Sequence, residues 1–315
     1  MKTIKNILML LGVFFVISTL VFAVQSGDVD AADVAENDVA TESNTSYRIT
    51  AIEIPENLNF AGESVPLEDP EVMERVDREF LVNTYWQSNA LLLMKRAHKY
   101  FPVIEPILAK NGVPDDFKYL ALAESGLQNV VSPAGATGFW QIMKGTGRDY
   151  GLEVNENVDE RYHLEKATEV ACRYILNSKE KFGTWTLAAA YYNAGPGSIN
   201  KFMGIQKAEN YYDLLLGEET GRYVFRIMAI KEILNNPEKY GFHLDSKDMY
   251  SAVPTFKVEV SEPVLSFADF AHKYEINYKI LKRHNPWLRE PHLANQSKKI
   301  YTLEIPNKGY YHLGK

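Results

Sequence analysis

Glu124 stands near the end of the string FKYLALAESG, with Leu120 one turn before it and Gly126 two residues after it. A carboxylate at the C-terminal end of a helix faces the negative end of the helix dipole, and apolar neighbours strip it of water, so both influences favour the neutral acid. Such a group can act as a general acid, keeping its proton until a leaving group takes it. An isolated Glu-Ser-Gly string is most often a surface helix end, so the surrounding sequence has to decide. SPAGATGFWQIM follows at once, and Gly135, Gly138 and, further on, Gly145 permit close backbone approach to a ligand. Trp140 offers a flat apolar face suited to a sugar and Gln141 an amide for a sugar hydroxyl, although Trp140 and Met143, taken singly, read as core residues. A third string, YYNAGPG from Tyr191 to Gly197, puts phenol and amide groups together at a helix end. A phosphate-cradling loop is disfavoured there: the GxxxxGK[ST] spacing is absent, and the helix is expected before the loop instead of after it.

Helical elements must position these groups. Apolar spacing predicts helices from about Pro70 to Asn236, beginning with Val72, Val76, Phe80 and Tyr85 and continuing through Leu91–Met94. Pro102 and Pro106 punctuate the next segment, and NGVPDD reads as a turn followed by a helix start. That short helix ends at Gly126, since glycine tolerates the left-handed conformation past a helix end. WQIMKGTGRDYGL predicts a short helix and turn, EKATEVACRYILNSKEKFG an amphipathic helix, WTLAAAYYNAGPGSI another, and GRYVFRIMAIKEIL a last one before Asn235-Asn236-Pro237. The final stretch changes character. Phe256, Val258 and Val260 alternate as in a strand, helical patterns follow around 266–274 and 278–283, and Tyr301–Ile305 alternates again, which suits a small βααβ module.

Together, AESGLQNVVSPAGATGFWQIM, AAAYYNAGPG and ETGRYVFRIMAI closely resemble the soluble-lytic-transglycosylase catalytic domain, in particular the membrane-bound lytic murein transglycosylase D type, over about Phe101 to Leu234. The resemblance implies a mainly α, lysozyme-like domain of the goose-type lysozyme and transglycosylase kind. It implies Glu124 as the single catalytic carboxylate, and Ser125, Gln141, Met143, Tyr192, Asn193 and Tyr223 as substrate-binding residues. Lys144 stands where many members have proline, and Tyr191 is inserted into the usual alanine-tyrosine-asparagine wording. The implied reaction is cleavage of the β-1,4 bond between N-acetylmuramic acid and N-acetylglucosamine, assisted by the sugar acetamide and closing a 1,6-anhydro ring, which needs only one carboxylate. Asp159 and Glu160 precede an amphipathic helix, where acidic residues suit capping and ion pairs better than a second catalytic role. The terminal module resembles a LysM glycan-binding domain, best at Asn285-Pro286 and Ile305-Pro306, whereas SEPVLSF replaces the usual glycine-aspartate-threonine-leucine opening. Glycan binding by this module and a spacer or docking role are both open on these residues.

Composition sets the outer bounds. A chain of 315 residues is long enough for about two domains, and 46% hydrophobic with 24% charged residues is an ordinary folded composition. A net charge of −7 gives no attraction for nucleic acid. One cysteine, Cys172, permits no intramolecular disulfide and reads as a buried packing residue. The seven histidines show no HExxH or other compact ligand spacing, so neither metal nor cofactor is expected. Lys2 and Lys5 precede an apolar run from Ile7 to Val24, a signal peptide or membrane anchor that sends the chain to the periplasm or cell envelope. The expected organisation is therefore residues 1–24 for export or inner-membrane anchoring, 25–66 an acidic tether and irregular lead-in, 67–245 the catalytic domain and 252–307 the LysM-like module. The expected partner is the peptidoglycan glycan strand; the competing reading is a non-catalytic wall-binding or envelope-scaffold protein.

Overall fold

The structure is a computed structural model that describes residues 49–296 and 298–311. The expected export segment, 1–24, and the acidic tether as far as residue 48 lie outside the described residues. From Thr50 onward the chain forms one compact unit, and no described helix is long and apolar enough to cross a membrane.

The architecture is mainly helical, with two antiparallel two-stranded sheets among the described residues. Three helices form an inner set: α3 (Phe117–Ser125), α6 (Trp185–Ala194) and α8 (Glu218–Asn235). The sequences of α3 and α6 are apolar nearly all round, which only a position inside a bundle can satisfy, whereas α8 buries Tyr223 to Phe225 and Ile227 to Ile230 and keeps its charged residues at least partly exposed. In α3, Phe117, Tyr119, Leu120, Ala121 and Leu122 are all buried; in α6, Leu187 and Ala188 to Ala190 are fully buried. The small side chains let α6 lie close to its neighbours, and α8 packs on both α3 and α6.

Amphipathic helices enclose this set. In α1 (Pro70–Tyr85) the Asp69 carboxylate caps the backbone N–H groups of Glu71 and Val72, and Val72, Val76 and Phe80 line one buried face. The long helix α2 (Gln87–Lys110) continues through Pro102 and Pro106, where the sequence suggested punctuation. Both prolines are exposed, so the carbonyls they leave unpaired four residues earlier face water, while Ala97, Ile104 and Leu108 stay buried on the other side. α5 (Leu164–Phe182) packs on α2 and α6, and Cys172 is buried within it, its thiol pushed up to about 12 by desolvation.

Two features differ from the sequence reading. Residues 57–66 of the lead-in are packed: β1 (Asn59–Phe60) and β2 (Glu63–Ser64) make a small hairpin whose fully buried Phe60 meets Phe117 edge-on at 5.1 Å. Glu63 of this hairpin accepts from the N–H groups of Trp185 (2.6 Å) and Thr186 (2.9 Å), capping the start of α6. In addition, a helix begins within Gly195-Pro196-Gly197: α7 (Pro196–Gln206) starts with Pro196 at its first turn, where a missing N–H costs nothing. The short helix α4 (Lys144–Asp149) sits where the sequence placed it.

The C-terminal module has the expected βααβ order. β3 (Thr255–Val260) pairs antiparallel with β4 (Tyr301–Pro306), from Thr255 opposite Pro306 to Val260 opposite Tyr301. Between them lie α9 (Phe267–His272) and α10 (Tyr278–His284). Asn285 is completely buried and ties α10 to β4: its Nδ2 donates to Glu304 O (2.8 Å) and its Oδ1 accepts from Glu304 N (2.8 Å). The module's core, built on Phe267, Leu281, Trp287 and Leu303, also takes in Val158 and Tyr162 from the helical part.

Candidate active site

Glu124 sits in the last turn of α3, which closes with Gly126 in the left-handed conformation (φ 58°). The residue is half-buried. Desolvation raises its carboxyl from the ordinary 4.5 to about 7; the hydrogen bond from Tyr223 and the charge of Arg226 pull it down, while Glu219 pushes it up. The Tyr223 hydroxyl on α8 donates to Glu124 Oε1. Burial and the charge of Glu124 hold the phenols of Tyr223 and Tyr192 well above their ordinary range, so both remain hydrogen-bond donors. The result is a carboxyl poised near neutrality against one phenolic donor.

The second wall comes from α6. The Tyr192 hydroxyl donates to Trp140 O (2.7 Å), joining α6 to the glycine loop. Asn193 Oδ1 accepts from the Thr220 hydroxyl (2.8 Å), which leaves its Nδ2 donor without a partner among the described residues. An amide fixed through its oxygen presents its N–H groups, as a carbonyl acceptor on a ligand would require.

The third wall is the loop from Asn129 to Met143. Val131, Thr137 and Ile142 are joined by isolated antiparallel bridges, and Gln141 adopts φ 47°. Its side-chain amide steadies this left-handed turn by donating to Gly138 O (2.8 Å) and Val130 O (3.1 Å). Gly138, at φ 82°, is required: a Cβ there would lie 2.1 Å from Arg161 O. Ser125 is buried, its hydroxyl 2.8 Å from Phe139 O, so it staples the end of α3 to this loop. Trp140 is fully buried with its Nε1 donating to Thr168 Oγ1 (2.8 Å), and it presents no face to a ligand. Met143 is 45% exposed and offers an apolar ledge.

Of the residues singled out in the sequence, Glu124 and Tyr223 are in direct contact. Tyr192 and Ser125 bind the loop backbone, Asn193 projects from α6, Gln141 shapes the loop, and Met143 stands beside it. Asp159 is clasped by Arg161 (2.7 Å), and Glu160 pairs with Lys166, so both carboxylates are held in ion pairs. Among the described residues no group of three or more His, Cys, Asp or Glu is placed to hold a metal. Residue-by-residue reading missed Thr220, which orients Asn193, Arg226 and Glu219, which act on Glu124 through charge, and Arg161. The string ETGRYVFRIM contained three of them, and only the fold gives them roles.

This geometry coincides with matches to two family models. Residues 101–215 match the transglycosylase SLT domain, and residues 256–309 match the soluble lytic transglycosylase C-terminal LysM-like domain. In order along the chain, these matches are to an SLT domain and then to a LysM-like module. Among individual proteins, the membrane-bound lytic murein transglycosylases D of two Escherichia coli strains are each 33% identical over 175 residues, 54% of this chain and 38% of theirs. The matched region therefore spans well under half the length of these curated relatives. Two solved structures are also similar: an inactive mutant of the lytic transglycosylase Slt from Pseudomonas aeruginosa, at 20% identity and a TM-score of 0.38, and the 70 kDa soluble lytic transglycosylase of Escherichia coli, at 21% identity and 0.38. Each covers 48% of this chain and 26% of the solved one.

Proposed function

We propose that the protein is a peptidoglycan lytic transglycosylase, with Glu124 as its single acid and base. The observation that carries this reading is a desolvated carboxyl, held near neutrality at the end of α3, facing one phenolic donor. The two family matches and the names of the curated relatives support the same reaction class.

Protonated Glu124 donates to the glycosidic oxygen between N-acetylmuramic acid and N-acetylglucosamine as the bond to the anomeric carbon breaks. The muramic acetamide oxygen stabilises that carbon from the other face, and the free Nδ2 of Asn193 orients the acetamide. Glu124, now ionised, removes the proton of the muramic 6-hydroxyl, whose oxygen closes on the anomeric carbon to give the 1,6-anhydro end. Each cycle thus returns the carboxyl to its starting state. The Tyr223 hydroxyl stabilises the ionised form midway. Met143 and the loop around Gln141 form a wall along which the glycan strand lies.

The substrate strand lies in the cell wall, so we place the protein in the cell envelope, sent there by residues 1–24 acting as a signal or inner-membrane anchor. Its domains run from about 67 to 245 for catalysis and 252 to 307 for the LysM-like module. Incubation with purified sacculi, followed by mass spectrometry, should release muropeptides ending in 1,6-anhydromuramic acid, and Glu124→Gln should abolish that release. Reducing ends would mean hydrolysis by water. Binding to sacculi with no product from the unaltered protein would favour a wall-binding scaffold instead.

A further inference from the structure

We propose that the C-terminal module braces the candidate active-site loop, with Arg161 as the positioning residue at the joint between them. The segment from Glu153 to Tyr162 belongs to the helical part by sequence, yet it is built into both. On one side, Asp159 N donates to Trp287 O (2.9 Å) and Arg289 N to Asn157 O (2.9 Å), flanking a bridge between Val158 and Leu288. The Asn157 side chain holds a second strip of the module, donating to His292 O (2.8 Å) and accepting from Ala294 N (2.8 Å). Glu153 pairs with Lys299 (2.8 Å) and accepts from the Tyr301 hydroxyl, and the Arg289 guanidinium lies 4.0 Å from the Tyr162 ring centre.

On the other side, the same segment grips the loop. Arg161 is buried and spends its whole guanidinium: Nε and one terminal nitrogen bind the Asp159 carboxylate (3.0 and 2.7 Å), while the other donates to Gly135 O (3.0 Å) and Ile142 O (3.2 Å). Its own carbonyl packs against Gly138 so closely that no side chain fits there. Ile142 lies between Gln141 and Met143, and Gly135 closes the turn that begins at Ser132. A continuous path of hydrogen bonds therefore runs from the Trp287 carbonyl through Asp159 and Arg161 to the middle of the loop at Gly135 and to its far end at Ile142. This loop has little regular structure of its own and contains a left-handed glutamine, so external restraint decides where it stands.

The module thus serves the site by position, whether or not it also binds glycan. The kinetic part of this proposal rests on the transglycosylase reading; the mechanical part does not. The test uses the full chain with Asn157→Ala, which cuts two bonds to the module from a half-buried position, and with Arg161→Lys and Arg161→Ala. Hydrogen exchange at the amides of Thr137, Gly138 and Ile142 should accelerate about tenfold or more in Asn157→Ala, with the amides of α8 unchanged. Turnover of sacculi should fall by up to about 100-fold in Arg161→Ala, the order expected for a misplacement of about 1 Å. Arg161→Lys should recover part of it, and the pH profile should keep its shape, because the neighbours of Glu124 are untouched. The brace is refuted if Asn157→Ala loosens residues 288–294 while the loop amides stay protected. It is equally refuted if the loop loosens in every variant and kcat and KM do not move. Exchange is read on the resting protein, so it decides the mechanical part even if the wild type releases no product, an outcome that would sink only the transglycosylase reading.

Discussion

Replacing Glu124 by glutamine should make the protein more stable in alkali and leave its stability unchanged in acid. The amide keeps the side chain's shape and an oxygen for the Tyr223 hydroxyl, and it removes the ionisation. In the folded protein the carboxyl titrates at about 7, against an ordinary 4.5, because burial strips it of water. Between those values the native state holds a proton that the unfolded chain has released, so stability falls as pH rises through this window. The gap of about 2.5 pH units, at 1.36 kcal/mol each, amounts to about 3 kcal/mol lost by pH 8. Glutamine escapes that loss. Urea unfolding of both proteins from pH 4 to pH 8.5 should give curves that coincide at the acid end and diverge by about 3 kcal/mol at the alkaline end. At about 2 °C per kcal/mol for a chain of this size, the melting midpoint at pH 8 should rise by roughly 6 °C. A difference that stays flat with pH, or widens as pH falls, would refute desolvation as the source of the raised carboxyl. The experiment needs no substrate, so it tests the electrostatic argument separately from the functional one.

Three further outcomes follow from the same geometry. Tyr223→Phe removes the hydrogen bond that draws the Glu124 carboxyl downward, so the carboxyl should rise by ~1–2 pH units above its present value. Carbon NMR of the carboxyl and the alkaline limb of the turnover profile would both register it, and a downward move would contradict the assignment. Gly138→Ala places a methyl group 2.1 Å from Arg161 O in a left-handed residue, so it should cost on the order of 2–4 kcal/mol in urea unfolding and collapse activity along with the loop. Thr220→Val frees the Asn193 oxygen now held at 2.8 Å. The loss of about 1 kcal/mol of orienting energy should raise KM roughly five- to tenfold without moving the pH profile, and steady-state kinetics on soluble glycan fragments would detect it.

Much of the helical frame was legible because its signals are local. Gly126 after the short helix and Asn235-Asn236-Pro237 after the last one mark helix ends whatever lies around them. The βααβ order of the last module was readable for the same reason, from alternation and helical spacing over short windows. Pro102 and Pro106 were harder: a proline's effect on a helix depends on whether its face meets water or a neighbour, and that is a tertiary fact. The hairpin of the lead-in was also hidden, because Glu63 finds its partners about 120 residues away at the start of α6.

For the site, residue types and their order pointed to an acid at a helix end, phenol and amide groups at another and a glycine loop, and the family resemblance made that acid the single catalytic carboxylate. The first three follow from chain-local chemistry: dipole, capping and the conformational freedom of glycine. What the residues do was decided by folding. Ser125 and Gln141 bind backbone because the loop folds back over α3, and Trp140 is walled in by α5. Glu124 becomes an acid near neutrality only when packing strips it of water; Tyr223 and Arg226 of α8 then draw its carboxyl down and Glu219 pushes it up. Arg161 gains its loop partners, Gly135 O and Ile142 O, only when the loop closes on it. Charge and hydrogen bonding act over a few ångströms of space, and a chain sets such distances only after it has packed its core.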